Sequence, residues 1–246
     1  MDPDWKQIGI GLAVNVGCGI VAFAAKTVGL SGLIVGSILG ASLWALAGWQ
    51  GWVIFVAFFV IGSSLTKFGA KEKEARGIAE EKGGRRGAKN AIAKLLPGVI
   101  AAVFATILGD PAGAWHAAFV ATFATAAADT AGTEVGKAIG RTPILLTTFR
   151  RAKPGEIGAV SVEGTVAGLI AGALLAALGG FLNYYSPVAA WKGAVIVTIA
   201  AFGGNVFESW INAFMAGRKK LNHEVSNFLL CVAGGALAYA LVILLK

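Results

Sequence analysis

From about residue 8 onward the chain is a series of long apolar runs separated by short polar stretches. The runs lie near 8–25, 30–48, 51–66, 92–109, 113–138, 161–183, 189–214 and 225–245. Most approach or exceed the roughly 20 residues that a helix needs to cross a bilayer. They are rich in Ala, Leu and Gly and apolar on all sides. A transmembrane β-barrel would instead alternate with a period of two over segments of about 10 residues. The pattern predicts an all-α, polytopic transmembrane helical bundle of about eight spans, organised as one domain over 1–246. Three hydrophilic loops interrupt it, at 67–91, 139–160 and 215–224. The first residues, MDPDWKQ, are acidic, and no small-residue cleavage site follows the first run, so a cleavable signal peptide is not expected.

Composition agrees: 57% of the residues are hydrophobic and only 14% charged, which excludes an ordinary soluble globule. The net charge of +8 is unevenly spread. The stretches 67–94, 137–153 and 218–220 hold nine, five and three of the 21 Lys and Arg, whereas the turns near 49–51, 110–112 and 184–188 hold none. Two spans separate each basic loop from the next, so all three fall on one side. An excess of Lys and Arg marks the cytoplasmic side, which puts both termini outside. Trp5, Trp49, Trp52, Trp115, Tyr184, Tyr185 and Trp191 then gather at the opposite interface, as an aromatic belt does. Cys18 and Cys231 lie in apolar runs near opposite ends of the chain and suit neither a disulfide framework nor a metal site.

Glycine recurs every fourth residue at Gly32, Gly36, Gly40, at Gly132, Gly136, Gly140 and at Gly164, Gly168, Gly172. Such ladders allow close helix approach. Carboxylates inside spans are costly and normally face a bundle interior or a wet cavity. Asp129 and Glu134 in ADTAGTEVGK, Glu163 in SVEGT, Glu208 in GNVFESWIN and Glu224 in NHEVSN all fall toward the basic side. Thr130, Glu134 and Lys137 share a helix face. Asp129 and Glu134, five residues apart, diverge by roughly 140° and cannot share one ion on an unbroken helix. Asn205, Glu208, Ser209 and Asn212 form one polar face, read as lining a cavity into which Glu224 and Asn227 also project.

Acids and bases converging from several helices suggest a metal-bridged polyphosphate. Mg²⁺ takes one or two carboxylates plus phosphate oxygens, and Lys and Arg neutralise the rest. In TKFGAKEKEARGIAEEKGGRRGAKN the cations Lys67, Lys71, Lys82, Arg85 and Arg86, with Asn90, suit phosphate. Gly83 and Gly84 would let backbone N–H groups approach an anion. A Walker A loop is absent. In LTTFRRAKPG, Thr148, Arg150 and Arg151 could form a phosphate clamp, while Arg218, Lys219 and Lys220 suit anionic lipid heads. His116 and His223 lack the companions of a metal site, and this topology puts no histidine near the acids. The cations are read as meeting nucleotide and lipid phosphates, not nucleic acid.

These motifs are familiar together. SSLTKFGAKEKEARGIAEEKGGRRGAKN, AAADTAGTEVGK, LLTTFRRAKPGEIGAVSVEGTVAG and GNVFESWIN, in that order, resemble the membrane phytyl-phosphate kinases of vitamin E biosynthesis, from about residue 30 to the C-terminus. A weaker likeness, through Asp129, Gly136, Lys137, Gly140, Arg141, Ser161, Glu163, Gly164 and Thr165, is to dolichol kinase and the CDP-diacylglycerol synthases. The resemblance implies CTP or another nucleoside triphosphate as donor with Mg²⁺, and an isoprenyl monophosphate as acceptor. On that reading Asp129, Glu134 and Lys137 are catalytic, Asp129, Glu134 and Glu163 hold the metal, and Ser161 and Glu163 join the phosphate-binding set. The active site would face the cytoplasm, and a homodimer is among the assemblies expected. A polyprenol kinase, a lipid cytidylyltransferase and an anionic-lipid transporter are the competing readings.

Overall fold

A computed structural model of the chain describes residues 5–156, 158–215 and 222–245. Its helices are α1 (Trp5–Ala24), α2 (Leu30–Lys67), α3 (Ala70–Ala75), α4 (Ala88–Ile107), α5 (Ala114–Ile139), α6 (Val162–Phe181), α7 (Ala190–Met215) and α8 (His223–Leu244). The short strands β1 (Ile144–Leu145) and β2 (Ala159–Val160) pair antiparallel within the loop between α5 and α6.

The two apolar runs at 30–48 and 51–66 belong to the single long element α2, but they remain two spans. Gly48 breaks it with φ 69 and ψ −177, a conformation that favours glycine. The chain reverses there. A Cβ at Gly40 would lie 3.3 Å from the Phe55 ring, and the Trp44 and Trp52 rings are 5.3 Å apart. In a straight helix, positions 40 and 55 would be about 22 Å apart. Among the described residues, six helices are long and apolar enough to cross a membrane, α2 among them. Counting its two arms separately and adding α5 brings the crossings to eight.

α5 falls outside those six: Asp129, Glu134 and Lys137 lower its hydropathy. It is the central helix, buried continuously from Ala117 to Ala131. A helix apolar all round must be enclosed by others. Its Ala-rich surface lets α2, α4, α6, α7 and α8 all pack on it. The second and third glycine ladders meet each other: a Cβ at Gly132 would lie 3.4 Å from the Gly164 carbonyl, and one at Gly168 only 2.7 Å from that of Ala128. These ladders therefore serve helix packing. Large apolar side chains such as Ile38, Val60, Ile170 and Ile199 point outward, as lipid-facing residues do.

All the described basic loops lie at one end of the bundle and the aromatic turns at the other. The belt itself needs correction. Trp5, Trp49 and Trp191 are exposed, but Tyr184 and Tyr185 are buried. The Tyr185 hydroxyl donates to the Ala176 carbonyl at 2.7 Å, and Trp115 packs at a tilt against the Phe104 and Tyr239 rings. A phenol or indole whose polar tip finds a partner can serve as core.

Candidate functional site

At the basic end, the C-terminal half of α5 forms one wall of a pocket of about 920 Å³. Asp129, Thr130, Thr133, Glu134 and Lys137 line it from α5, Lys89, Asn90 and Lys94 from α4, and His223 and Glu224 from the start of α8. The segment before α4 closes the other side with Glu80, Gly84, Arg85 and Arg86.

Each acid on the α5 side has a lysine partner. Lys94 Nζ lies 3.0 Å from Asp129 Oδ2 and donates to Thr130 Oγ1 at 2.9 Å. Lys73 is itself fully buried in α3. It pairs with Glu134 and donates to the Thr66 carbonyl at 2.9 Å. Lys137 Nζ sits 2.8 Å from Glu80 Oε1. Buried charges are tolerated when paired and hydrogen-bonded in this way. By contrast, among the described residues Arg85, Arg86 and Lys89 have no carboxylate within ion-pair distance. The pocket thus offers cations beyond those its own acids neutralise.

The loop geometry places these cations. Gly83 and Gly84 both have positive φ, 64 and 73, and turn the chain at the end of the short 3₁₀ segment Glu81–Gly84. Arg86 N–H then donates to the Thr27 carbonyl, and Gly29 N–H to the Arg86 carbonyl, both at 3.0 Å. Two backbone bonds therefore clip the loop to the α1–α2 connection. The Arg86 guanidinium lies 5.7 and 5.8 Å from the Phe58 and Phe59 ring centres. Burial pulls its pKa below the usual guanidinium value, an effect opposed by the charges of Glu134, Glu80 and Asp129.

Burial works against the charge of Glu80, but the hydrogen bond and charge of Lys137 outweigh it and hold this carboxyl below the ordinary glutamate range. A carboxyl with a depressed folded-state pKa contributes stability above its unfolded pKa and loses it as the pH falls through the folded one. In detergent, the wild type is expected to lose part of its thermal stability on acidification below the ordinary glutamate range. Glu80→Gln should lack that component. Identical acid profiles for the two proteins would remove the assigned role of the Lys137–Glu80 pair.

Several expected residues are not in this pocket. Thr148, Arg150 and Arg151 are exposed, and Arg150 is engaged with Glu156 at 3.3 Å. The β1–β2 pairing sets β2 against α5 and α7, while the turn at Gly155 rests on Ile78 just after α3, a Cβ built there lying 2.9 Å from the Ile78 side chain; no residue of this loop lines the pocket. Ser161 is the N-cap of α6, accepting from Gly164 N–H at 3.1 Å. Glu163, in the first turn of that helix, does not line the pocket. Lys67 donates to the Ala25 carbonyl and, with Lys26, Arg85 and Gly83, lines an adjoining cavity of about 760 Å³. Lys71 is exposed. The side chain of Lys82 and residues 218–220 lie outside the described residues.

The polar face of α7 is also corrected. Glu208 Oε1 accepts from Ser226 Oγ at 2.9 Å and from Asn212 Nδ2 at 3.1 Å, tying α7 to α8. Asn205 lies against the α5–α6 seam, its Nδ2 3.3 Å from a Cβ built at Gly168. None of Asn205, Glu208, Ser209, Asn212 and Asn227 lines the charged pocket; Glu224 does. Glu208 also reaches Asp129 on the pocket wall, so this cluster ties α7 to α8 and backs the charged pocket without lining it. One histidine moves the other way: His223, at the start of α8, stands on the pocket wall beside the acids.

The sequence reading missed Lys73, Lys94 and Glu80. Lys94 was detectable, because a lysine within an apolar run is costly, as a carboxylate is. Nothing in the loop sequence marks Lys73 or Glu80 as inward-facing.

Among the described residues, no three His, Cys, Asp or Glu side chains gather as a metal cluster, so Asp129, Glu134 and Glu163 do not form one ligand set. α5 is unbroken, and Asp129 and Glu134 reach different lysines. Both carboxylates nonetheless line one pocket, with the Thr130 and Thr133 hydroxyls between them. One or two carboxylates and further oxygens suit Mg²⁺ bound together with phosphates, so the donor chemistry fits.

Comparison with known proteins adds lineage. Residues 13–234 match the family described as integral membrane protein DUF92. Over 203 residues the chain is 39% identical to an uncharacterized membrane protein, sll0875, of Synechocystis sp., covering 82% of this chain and 77% of that one. It is 34% identical to the chloroplastic protein VTE6 of Arabidopsis thaliana, over 96% of this chain and 71% of the relative. An uncharacterized membrane protein, MJ0933, of Methanocaldococcus jannaschii is 29% identical over 83% and 81% of the two chains. No solved structure matches.

Proposed function

The chain belongs to the integral membrane protein family DUF92, and from that membership we propose that it is a membrane kinase transferring the terminal phosphoryl group of CTP, or another nucleoside triphosphate, to an isoprenyl monophosphate such as phytyl phosphate. The observation that supports this best is the pocket's charge pattern. Three acid–lysine pairs sit beside Arg85, Arg86 and Lys89, which among the described residues have no carboxylate within ion-pair distance. The motif resemblance to phytyl-phosphate kinases, and a relative that matches along nearly the whole chain, support the same reading.

The physics is that of phosphoryl transfer by positioning and charge neutralisation. A phosphate acceptor is already ionised, so its oxygen needs no base. The obstacle is repulsion between two polyanions. Arg85, Arg86 and Lys89 would hold phosphate oxygens and offset that repulsion. Lys94 and Lys137, now on Asp129 and Glu80, are within the same pocket and can exchange those acids for phosphate. Asp129 is the carboxylate we assign to Mg²⁺, which when bound would neutralise part of the triphosphate charge; Glu134, turned away from it on the unbroken α5, is held by Lys73. Excess Lys and Arg at this end supports a pocket facing the cytoplasm.

The test is purified protein with Mg²⁺, each of four labelled nucleoside triphosphates, and phytol, phytyl phosphate or phosphatidic acid. The reading expects label on phytyl phosphate and release of the nucleoside diphosphate. Pyrophosphate release would instead indicate a nucleotidyltransferase, and flux without nucleotide turnover a transporter. His223→Gln separates acceptor classes. General-base catalysis contributes about 10²–10⁴-fold. A phosphate acceptor therefore predicts a loss below about 10-fold in this variant, whereas collapse of activity would point to an alcohol acceptor.

A further inference from the structure

Beside the charged pocket runs a second, mostly apolar crevice between α1, both arms of α2 and the start of α4. Cys18 and Ala22, Leu33, Phe55 and Phe59, and Leu95 form its walls. Its floor is at Gly36. A Cβ built there meets nothing within 4 Å, whereas Gly32 and Gly40 of the same ladder press on the Arg86 carbonyl and on Asn15. The middle glycine of the ladder therefore leaves a slot where its neighbours make contact.

Toward the aromatic end the slot is closed by Asn15, whose Oδ1 accepts from Trp52 Nε1 at 3.1 Å. The other end is open and charged. Arg86, Asn90 and Lys94 line the crevice and the charged pocket alike. Arg86 has two aromatic faces beside it and, among the described residues, no carboxylate within ion-pair distance. A cation supported by ring faces and lacking a counter-anion is suited to receive a phosphate. The enclosed space is only about 100 Å³. That admits one slender chain, not two acyl chains. A longer chain can continue into the bilayer, because α1 is the peripheral helix and carries exposed Ile20 and Val21.

We propose that this crevice holds the single isoprenoid chain of the phosphate acceptor, with Arg86 holding the acceptor's phosphate where the slot opens into the charged pocket. The assignment rests on the kinase reading above and adds where the acceptor lies. Chain selectivity follows from the Gly36 gap, and head-group selectivity from Arg86.

The test is equilibrium binding of radiolabelled phytyl phosphate to the full chain in detergent, without nucleotide. Gly36→Phe fills the slot and is expected to raise the Kd at least tenfold. Gly17→Phe, also on open space but off the crevice, should leave it unchanged. Dimethylallyl phosphate, with five carbons to fill the slot, should lose far less than phytyl phosphate on Gly36→Phe, and Arg86→Gln should weaken both ligands. Phytyl phosphate binding to Gly36→Phe as tightly as to wild type would overturn the proposal. So would a wild type that turns over nucleotide but does not bind phytyl phosphate. Absence of nucleotide turnover in the wild type would instead overturn the kinase reading, and the crevice would then stand or fall on the Gly36→Phe and Gly17→Phe comparison.

Discussion

Asp129→Asn is expected to lower turnover by at least about 100-fold, in line with loss of one preorganised electrostatic group at a reacting phosphate. Asp129 is the acid whose surroundings are most complete. Lys94 Nζ reaches both its Oδ2 and the neighbouring Thr130 hydroxyl, at 3.0 and 2.9 Å. Thr130 in turn donates to the Ala126 carbonyl at 2.8 Å. Asn keeps the shape and an oxygen for Lys94 while removing the charge that a metal-bound triphosphate requires. Activity should therefore fall far more than the folded fraction, read as monodisperse elution in detergent. Full activity in this variant would remove Asp129 from the metal assignment. Equal loss of activity and of folded protein would make it a structural residue.

Lys73→Met is expected to be the most destabilising substitution at the pocket. Lys73 and Glu134 are both buried, and removing one partner of such a pair costs about 3–5 kcal/mol, because the other charge is left uncompensated. The pair also docks the six-residue α3, which is too short to hold a helical shape alone, onto the end of α5. Lys71→Met, two residues away and exposed, should change stability by no more than about 0.5 kcal/mol. The double variant Lys73→Met, Glu134→Gln should recover much of the loss, since no charge is then stranded. Thermal unfolding of the three variants in one detergent reads this directly. A Lys73→Met protein as stable as Lys71→Met would show that the pair contributes nothing to holding α3.

The architecture was legible because the bilayer constrains it so strongly. Eight crossings and the separation of basic from aromatic ends follow from run length and charge placement. Even the reversal at Gly48, which merges two runs into one element, was readable as two runs with a turn between them. Asp129 and Glu134 were legible for the same reason: charge in a span is rare and needs a use. What failed depended on which neighbour a polar residue meets. The face of Glu208 and Asn212 looks like a cavity wall on one helix, yet Ser226 on another helix completes it as a packed cluster. Arg150 and Arg151 carry the right chemistry for phosphate, but both are exposed outside the pocket, and Arg150 is engaged by Glu156. Tyr185 at a span end looks interfacial until its hydroxyl finds the Ala176 carbonyl. Lys73 is one of several lysines in a polar loop, and only the docking of α3 selects it.

The claim on which the account depends is that nucleotide phosphates bind where α5 meets the segment leading into α4. A photoactivatable nucleoside triphosphate, cross-linked to the intact protein with Mg²⁺ and mapped by peptide mass spectrometry, addresses it most directly. The account predicts adducts within 79–94 and 129–137, competed by unlabelled triphosphate and lost in Asp129→Asn. Adducts confined to the 144–160 loop or to the aromatic end, with these two segments unlabelled, would contradict it.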